Sequence, residues 1–201
     1  MFTGAQISLY PMTDDFVGVI LGSLKALDPY RAAFRIETDD ISTLLVGPAE
    51  QLFPAMRDLH VAASKGGVHT VLSGLVSRGC PGEPDDPRCT PISGGTRGSL
   101  AERASLARAS LAKAPFTGQS VSAQFSLYPL GEGHHMDEIY ACIDFIKLSG
   151  VFERSKNFCT KLRGDAGPVF ATMSESFLRF GSLEGHVAVD LTVSANSPSK
   201  L

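Results

Sequence analysis

The chain has 201 residues, of which 43% are hydrophobic and 19% charged, a size that suits one large domain or two small ones. The formal net charge of −3 and the lack of a basic block argue against nucleic acid as a partner, because that binding requires clustered Lys and Arg. No segment approaches the roughly 20 apolar residues of a membrane span and the N-terminus lacks a secretory signal, so we expect a cytoplasmic protein without membrane insertion.

The sequence pattern of residues 1–79 predicts the order strand, helix, strand, strand, helix, strand. The first strand, AQISLYP, alternates and ends at Pro11. We expect Thr13 to cap a helix with Asp14 and Asp15 in its first turn. Two short strands, AFRIE and ISTLLVG, flank a turn of sequence TDD. Pro48 then opens the second helix at a permitted position, and VHTVLSGLVS forms the last strand.

Residues 80–121 form a connector rich in Pro, Gly and Asp in its first half. Cys80 and Cys89 share this loop and could bridge, although cytosolic thiols usually stay reduced. A helix is predicted over about residues 99–114, with Ser99 as its cap and Glu102 three residues later.

Residues 122–201 repeat the first 79 in order. SLYPM at Ser8–Met12 returns as SLYPL at Ser126–Leu130. Further matches at nearly the same offset are Thr43 with Thr160, Gly47 with Gly164, His69 with His186, and Ser77 with Ser194. Three blocks in one order indicate an internal duplication.

The order of elements predicts an α+β fold of tandem ferredoxin-like βαββαβ repeats, with antiparallel sheets and helices on one face. Because strand residues alternate between faces, polar side chains of the first strand are expected on the bare face, as are their equivalents in the second copy. If two such faces stack, their polar atoms need partners, which a small heteroaromatic ligand between the sheets would supply.

The remaining polar residues of the sequence do not predict a metal site or an active site. Adjacent His134 and His135 do not converge on one ion, so we expect no metal site. No segment assembles a nucleophile, a base and an orienting group, so we expect no catalysis and no resident cofactor.

The blocks SLYPMTDDF, TDDISTLL, GCPG and VSANSPS resemble the YkoF-type thiamin/hydroxymethylpyrimidine-binding family, and the resemblance covers essentially the whole chain. It implies a homodimer, and a non-catalytic protein that binds thiamin or hydroxymethylpyrimidine in each repeat. It also implies support of thiamin-precursor uptake or salvage, with a transporter as a possible partner. A regulatory ligand sensor of ACT type is the alternative.

On this basis we predict ligand-binding residues in both repeats. The alternation of the third strand leaves Ser42 and Thr43 as alternatives on opposite faces, with Thr43 preferred because Thr160 repeats it. The predicted binding residues are Ser8, Tyr10, Asp39, Ser42, Thr43, Ser126, Tyr128 and Thr160.

The two copies diverge in charge at the predicted site. Asp39 and Asp40 correspond to Lys156 and Asn157. We therefore expect unequal sites: the first suits cationic thiamin, and the second suits neutral hydroxymethylpyrimidine or a phosphate ester, or is degenerate.

Overall fold

The computed structural model describes residues 2–80, 98–130, 135–181 and 185–199. Cys89 lies outside the described residues, and so does the question of whether it bridges to Cys80. The first repeat has the predicted order of elements. These are β1 (Phe2–Pro11), α1 (Phe16–Leu24) continued by a 3-10 helix (Lys25–Tyr30), β2 (Arg35–Thr38), β3 (Thr43–Val46), α2 (Ala49–Ala63) and β4 (Thr70–Cys80).

The second repeat has the same order, which confirms the tandem ferredoxin-like fold. A connector helix, α3 (Leu100–Leu111), precedes it. Its elements are β5 (Ser120–Leu130), α4 (His135–Lys147), β6 (Phe152–Ser155), β7 (Thr160–Asp165), α5 (Ala166–Arg179) and β8 (His186–Ala195).

The two repeats share one antiparallel sheet of eight strands, in the order β2-β3-β1-β4-β8-β5-β7-β6. They join through the last strand of each copy, where β4 pairs with β8 from Thr70↔Ala195 to Arg78↔Val187. The sheet interior therefore has no free edge between the repeats. The bare surfaces of the two copies lie side by side, so the predicted stacking of one surface on the other within the chain is wrong.

The sheet has a helix face and an open face. Along β8, the side chains of Val187, Val189, Leu191 and Val193 are fully buried, while the residues between them are half-buried or exposed. Polar residues follow the open face across the seam. His69 Nε2 lies 3.2 Å from Ser194 Oγ, and His186 Nε2 lies 2.7 Å from Ser77 Oγ. These crossed pairs join positions that the duplication makes equivalent, so the seam has the two-fold pseudosymmetry of the repeats.

One core spans both repeats on the helix face. Helices α2 and α5 pack together, and the rings of Phe53 and Phe177 meet with centroids 5.7 Å apart. Buried Arg78 of β4 donates hydrogen bonds to the carbonyl oxygens of Phe177 and Phe180 at the end of α5 (2.9 and 2.7 Å). A cation at a helix C-terminus is favoured by the helix dipole.

The beginning of α1 corrects one prediction. The N-cap is Asp15, whose carboxylate accepts a hydrogen bond from the Gly18 backbone N–H at 3.2 Å, and the first turn contains no acidic residue. Thr13 does not cap the helix. Both residue types cap helices well, so local preference did not determine which of them would do so.

The connector helix confirms its predicted cap. Ser99 accepts from the Glu102 backbone N–H, and the Glu102 carboxylate accepts from the Ser99 N–H. The helix then docks on the second repeat through Arg103, which makes a bidentate ion pair with Glu138 of α4 (2.6 and 2.9 Å). Since both side chains are largely shielded from solvent, this pair fixes α3 against α4.

A buried histidine makes folding depend on pH. His60 of α2 is fully buried, with Nε2 placed 3.2 Å from the Thr70 carbonyl oxygen and its ring beside that of Phe170. Its Nδ1 has no hydrogen-bond partner within the described part of the chain. Burial lowers the pKa of His60 to about 4 from an ordinary 6.5, because the charged ring would lose its solvation.

We predict that acidification destabilises the fold through His60. The unfolded chain takes up a proton near pH 6.5 and the folded chain only near pH 4, so the stabilisation is complete above pH 6.5 and is lost as the pH falls to about 4. The loss amounts to about 3 kcal/mol. Urea unfolding at a series of pH values will show it, and His60→Gln will flatten the slope. An unchanged slope in that variant would contradict the assignment.

Candidate functional site

The site begins with a mismatch in strand length. β3 pairs with β1 only as far as Ile7↔Thr43, while β1 continues to Pro11 alongside β4. Residues 8–11 therefore have no partner strand on the side of β3. Backbone N–H and C=O groups require partners wherever they are shielded from water. This bare edge can pair with the polar edge of a ligand.

A cavity of about 350 Å³ opens beside this edge. Its floor is the end of β1, one wall is α1, and the other wall is the β2–β3 turn. Phe16, Ile20 and Leu24 line it from α1, and Leu59 lines it from α2. It is a partly apolar pocket with a few polar groups at its rim, which is typical of small-molecule sites.

The second repeat has the equivalent cavity, of about 230 Å³. β7 pairs with β5 only as far as Phe125↔Thr160, so β5 also continues without a partner on that side. Helix α4 and the β6–β7 turn form its walls. The lining residues contributed by α4 are Ile139, Cys142, Ile143 and Ile146.

These cavities lie elsewhere than the surface on which the sequence predicted the ligand. We expected the ligand on the bare face of the sheet, whereas each cavity lies between the sheet and the first helix of its repeat. The apolar residues of that helix were assigned to the core stripe. In the structure Phe16 is 52% exposed, and Ile20 and Leu24 are only half-buried, because they border a cavity. Helical periodicity indicates the inward face of a helix but cannot distinguish a packed core from a cavity wall.

Each of the eight predicted binding residues lines one of the two cavities. Ser8, Tyr10, Asp39, Ser42 and Thr43 line the first cavity. Ser126, Tyr128 and Thr160 line the second.

The two predicted serines hold the turns that close the cavities. Ser8 Oγ donates a hydrogen bond to the Ile41 carbonyl oxygen at 3.0 Å. In the second copy, Ser126 Oγ donates to the Phe158 carbonyl oxygen at 2.8 Å. Both acceptors lie at the tip of a turn, where the Ile41 and Phe158 side chains are 74% and 89% exposed. The serines thus position the turns, and the duplication preserves this contact.

Asp39 also stabilises its own turn. Its Oδ1 accepts hydrogen bonds from the backbone N–H groups of Ile41 and Ser42, both at 2.8 Å. These two bonds hold the pKa of Asp39 below its usual value, so the carboxylate is charged at neutral pH. Ser42 Oγ accepts a short hydrogen bond from the side-chain amide of Gln6, a residue that the predicted set did not include.

The structure distinguishes Ser42 from Thr43. Thr43 is 8% exposed, and its hydroxyl lies 3.0 Å from that of Thr38, so it belongs to the covered wall. Thr160 is equally buried at the equivalent position. Unlike the two threonines, the tyrosines are accessible to solvent. Tyr10 is 52% exposed and Tyr128 is 47% exposed, so both lie at the mouths of the cavities.

One thiol borders the second cavity. Burial raises the pKa of Cys142 to about 12, so this thiol stays protonated beside the second cavity. Within the described residues, no group of three or more His, Cys, Asp or Glu side chains could hold a metal ion. In the same ranges, no helix is long and apolar enough to cross a membrane.

The fold and the paired cavities define a tandem ferredoxin-like protein with a ligand-sized pocket in each repeat. The chain belongs to the YKOF-related family, whose sequence model matches residues 2–83 and again residues 120–200. A relative from Bacillus subtilis (strain 168), YkoF, is 34% identical over 197 residues, which cover 98% of this chain and 92% of the relative. It carries a provisional name as an HMP/thiamine-binding protein.

We predict that Ser8→Ala loosens the β2–β3 turn. The loss of one hydrogen bond to the Ile41 carbonyl lowers the local stability of the turn by about 0.5–1.5 kcal/mol. Hydrogen exchange measured by mass spectrometry will then speed up over residues 39–43. Ser73→Ala is the matched control, because Ser73 faces Ser8 across β1 and β4. Equal exchange in the two variants would show that Ser8 does not hold the turn.

Proposed function

We propose that this protein binds thiamin or hydroxymethylpyrimidine, with one site in each repeat, and has no catalytic role. The observation that carries the proposal is the same cavity at duplicated positions, each beside an unpaired strand edge. A binding role for the family is also supported by the name of the Bacillus relative.

The pyrimidine ring suits the bare strand edge. An aminopyrimidine presents an amine donor next to ring-nitrogen acceptors along one side. Backbone N–H and C=O groups of residues 8–11 can match this pattern. The flat faces of the ring would lie against apolar side chains of α1, such as Ile20 and Leu24. A similar arrangement is available at residues 126–130 of β5.

The first cavity also suits the thiazolium cation of thiamin. Asp39 and Asp40 both line it, and none of the other described lining residues is basic. The exposed ring of Tyr10 offers an aromatic face at the mouth. A fixed cation is attracted by both carboxylates and aromatic faces.

The biological setting follows from the same proposal. A protein that binds thiamin precursors without converting them would support their uptake or salvage in the cytoplasm. The homodimer and the transporter partner remain predictions. The open face of the sheet offers a surface for self-association, because the helices of the described residues all lie on the other face.

We predict that a bulky residue in each cavity abolishes binding at that site alone. Ile20→Trp fills the first cavity and Ile143→Trp the second, since both side chains line their cavities and are half-buried. Titration calorimetry with thiamin and hydroxymethylpyrimidine will show one site fewer in each single variant and none in the double variant.

Two controls keep the added bulk outside the cavities. Leu21→Trp changes an exposed residue of α1, and Leu148→Trp changes the exposed residue that follows α4. Neither residue lines a cavity, so both variants should bind like the unmodified protein. Thermal unfolding checks that each variant is folded. Full binding by the folded double variant would exclude these cavities as the sites.

A further inference from the structure

The two cavities carry opposite charge at equivalent positions. Asp39 and Asp40 line the first cavity, and Lys156 and Asn157 occupy the matching positions in the second. Among the described residues, no acidic side chain lines the second cavity and no basic side chain lines the first. A cavity lined by charged groups of one sign attracts ligands of the opposite charge and repels ligands of the same charge.

The negative charge of the first cavity is fixed in place. Asp39 is held by two backbone N–H groups, which favour its ionised form. A ligand with an anionic group near this turn would be repelled by this carboxylate, because the two backbone hydrogen bonds favour its ionised form.

The positive charge of the second cavity has a neutral partner. Lys156 Nζ donates a hydrogen bond to the side-chain oxygen of Gln124 at 3.0 Å, and Cys159 Sγ lies 3.8 Å from the same oxygen. Two other cations of this hairpin, Lys161 and Arg163, both pair with Glu153 (2.9 and 2.7 Å). The charge of Lys156 therefore remains available to an anionic ligand group.

The size and rim of the second cavity favour a small aromatic ligand. Its volume is about 230 Å³, against about 350 Å³ for the first. The ring of Phe158 lies at the tip of the turn and is 89% exposed, where the first repeat has Ile41. An aromatic side chain at the mouth can stack on a flat heterocycle.

We propose that the second cavity binds a phosphate monoester of a single-ring aminopyrimidine and that the first cavity selects against it. The inference rests on the proposed function, because it takes both cavities as pyrimidine sites. The ring lies against the apolar wall of α4, and the phosphate pairs with Lys156, which exchanges its hydrogen bond to the neutral Gln124 amide for an ion pair with an anion. The two repeats thus divide the ligands between them by charge.

The test compares ligands in the Ile20→Trp background, in which only the second cavity is open. We expect hydroxymethylpyrimidine phosphate to bind about tenfold more tightly than hydroxymethylpyrimidine, as one charge-assisted contact predicts. Lys156→Gln should remove this preference, so that the ester and hydroxymethylpyrimidine bind with similar affinity. Added salt should weaken binding of the ester alone.

The control is Lys147→Gln, which removes an exposed cation of α4 that does not line the cavity. It should retain the preference for the ester.

Thiamin monophosphate, which carries the same phosphate group on a two-ring ligand, should bind more weakly than the single-ring ester. Inorganic phosphate alone should not compete, because it lacks the ring. Backbone NMR shifts of Ser126 and Thr160 will place each ligand independently of the Ile20→Trp variant.

Two results overturn the inference while the proposed function stands. In the first, the ester binds no more tightly than hydroxymethylpyrimidine. In the second, its preference survives in Lys156→Gln or is matched by inorganic phosphate. If neither pyrimidine nor thiamin binds at either cavity of the unmodified protein, the proposed function fails and the inference fails with it.

Discussion

The early end of β3 opposite Ile7 is the constraint on which each site depends. Because residues 8–11 of β1 have no partner strand on the side of β3, their backbone groups on that side remain available and the β2–β3 turn must cross the gap. A hydrogen bond from Ser8 holds that turn, and α1 forms the facing wall. If β3 were four residues longer, the strand edge would be paired and the pocket would be replaced by sheet.

The shared sheet explains how two such sites coexist in a small protein. Pairing of β4 with β8 joins the repeats edge to edge, and α2 packs on α5 behind the seam. The cavities lie towards opposite ends of this sheet, beside β1 and β5. Each turn can therefore change its sequence without disturbing the common core. The replacement of Asp39 by Lys156 at the equivalent position is a change of this kind.

The connector helix is a second difference between the two repeats, besides the charge of their turns. Arg103 and Glu138 attach α3 to α4, and thus to a wall of the second cavity. In the described part of the chain, the main contacts of α3 are with α4 and α5 of the second repeat. Among the described elements, no connector helix packs against α1 in the same way. The duplication has therefore produced two pockets with the same frame but different surroundings and charge.

The sequence by itself determined the repeats, the order of the elements, the Ser99 cap and the residue set around each turn, because these follow from local patterns and from internal similarity. Only the tertiary structure decided that the sheets join at β4 and β8, and that the cavities lie under α1 and α4. Pairing between strands distant in sequence leaves no periodic signal, and an apolar helix stripe looks the same against a core or a cavity. The roles of Ser8 and Ser126 likewise depended on where the turns fold back, which side-chain alternation along one strand cannot show.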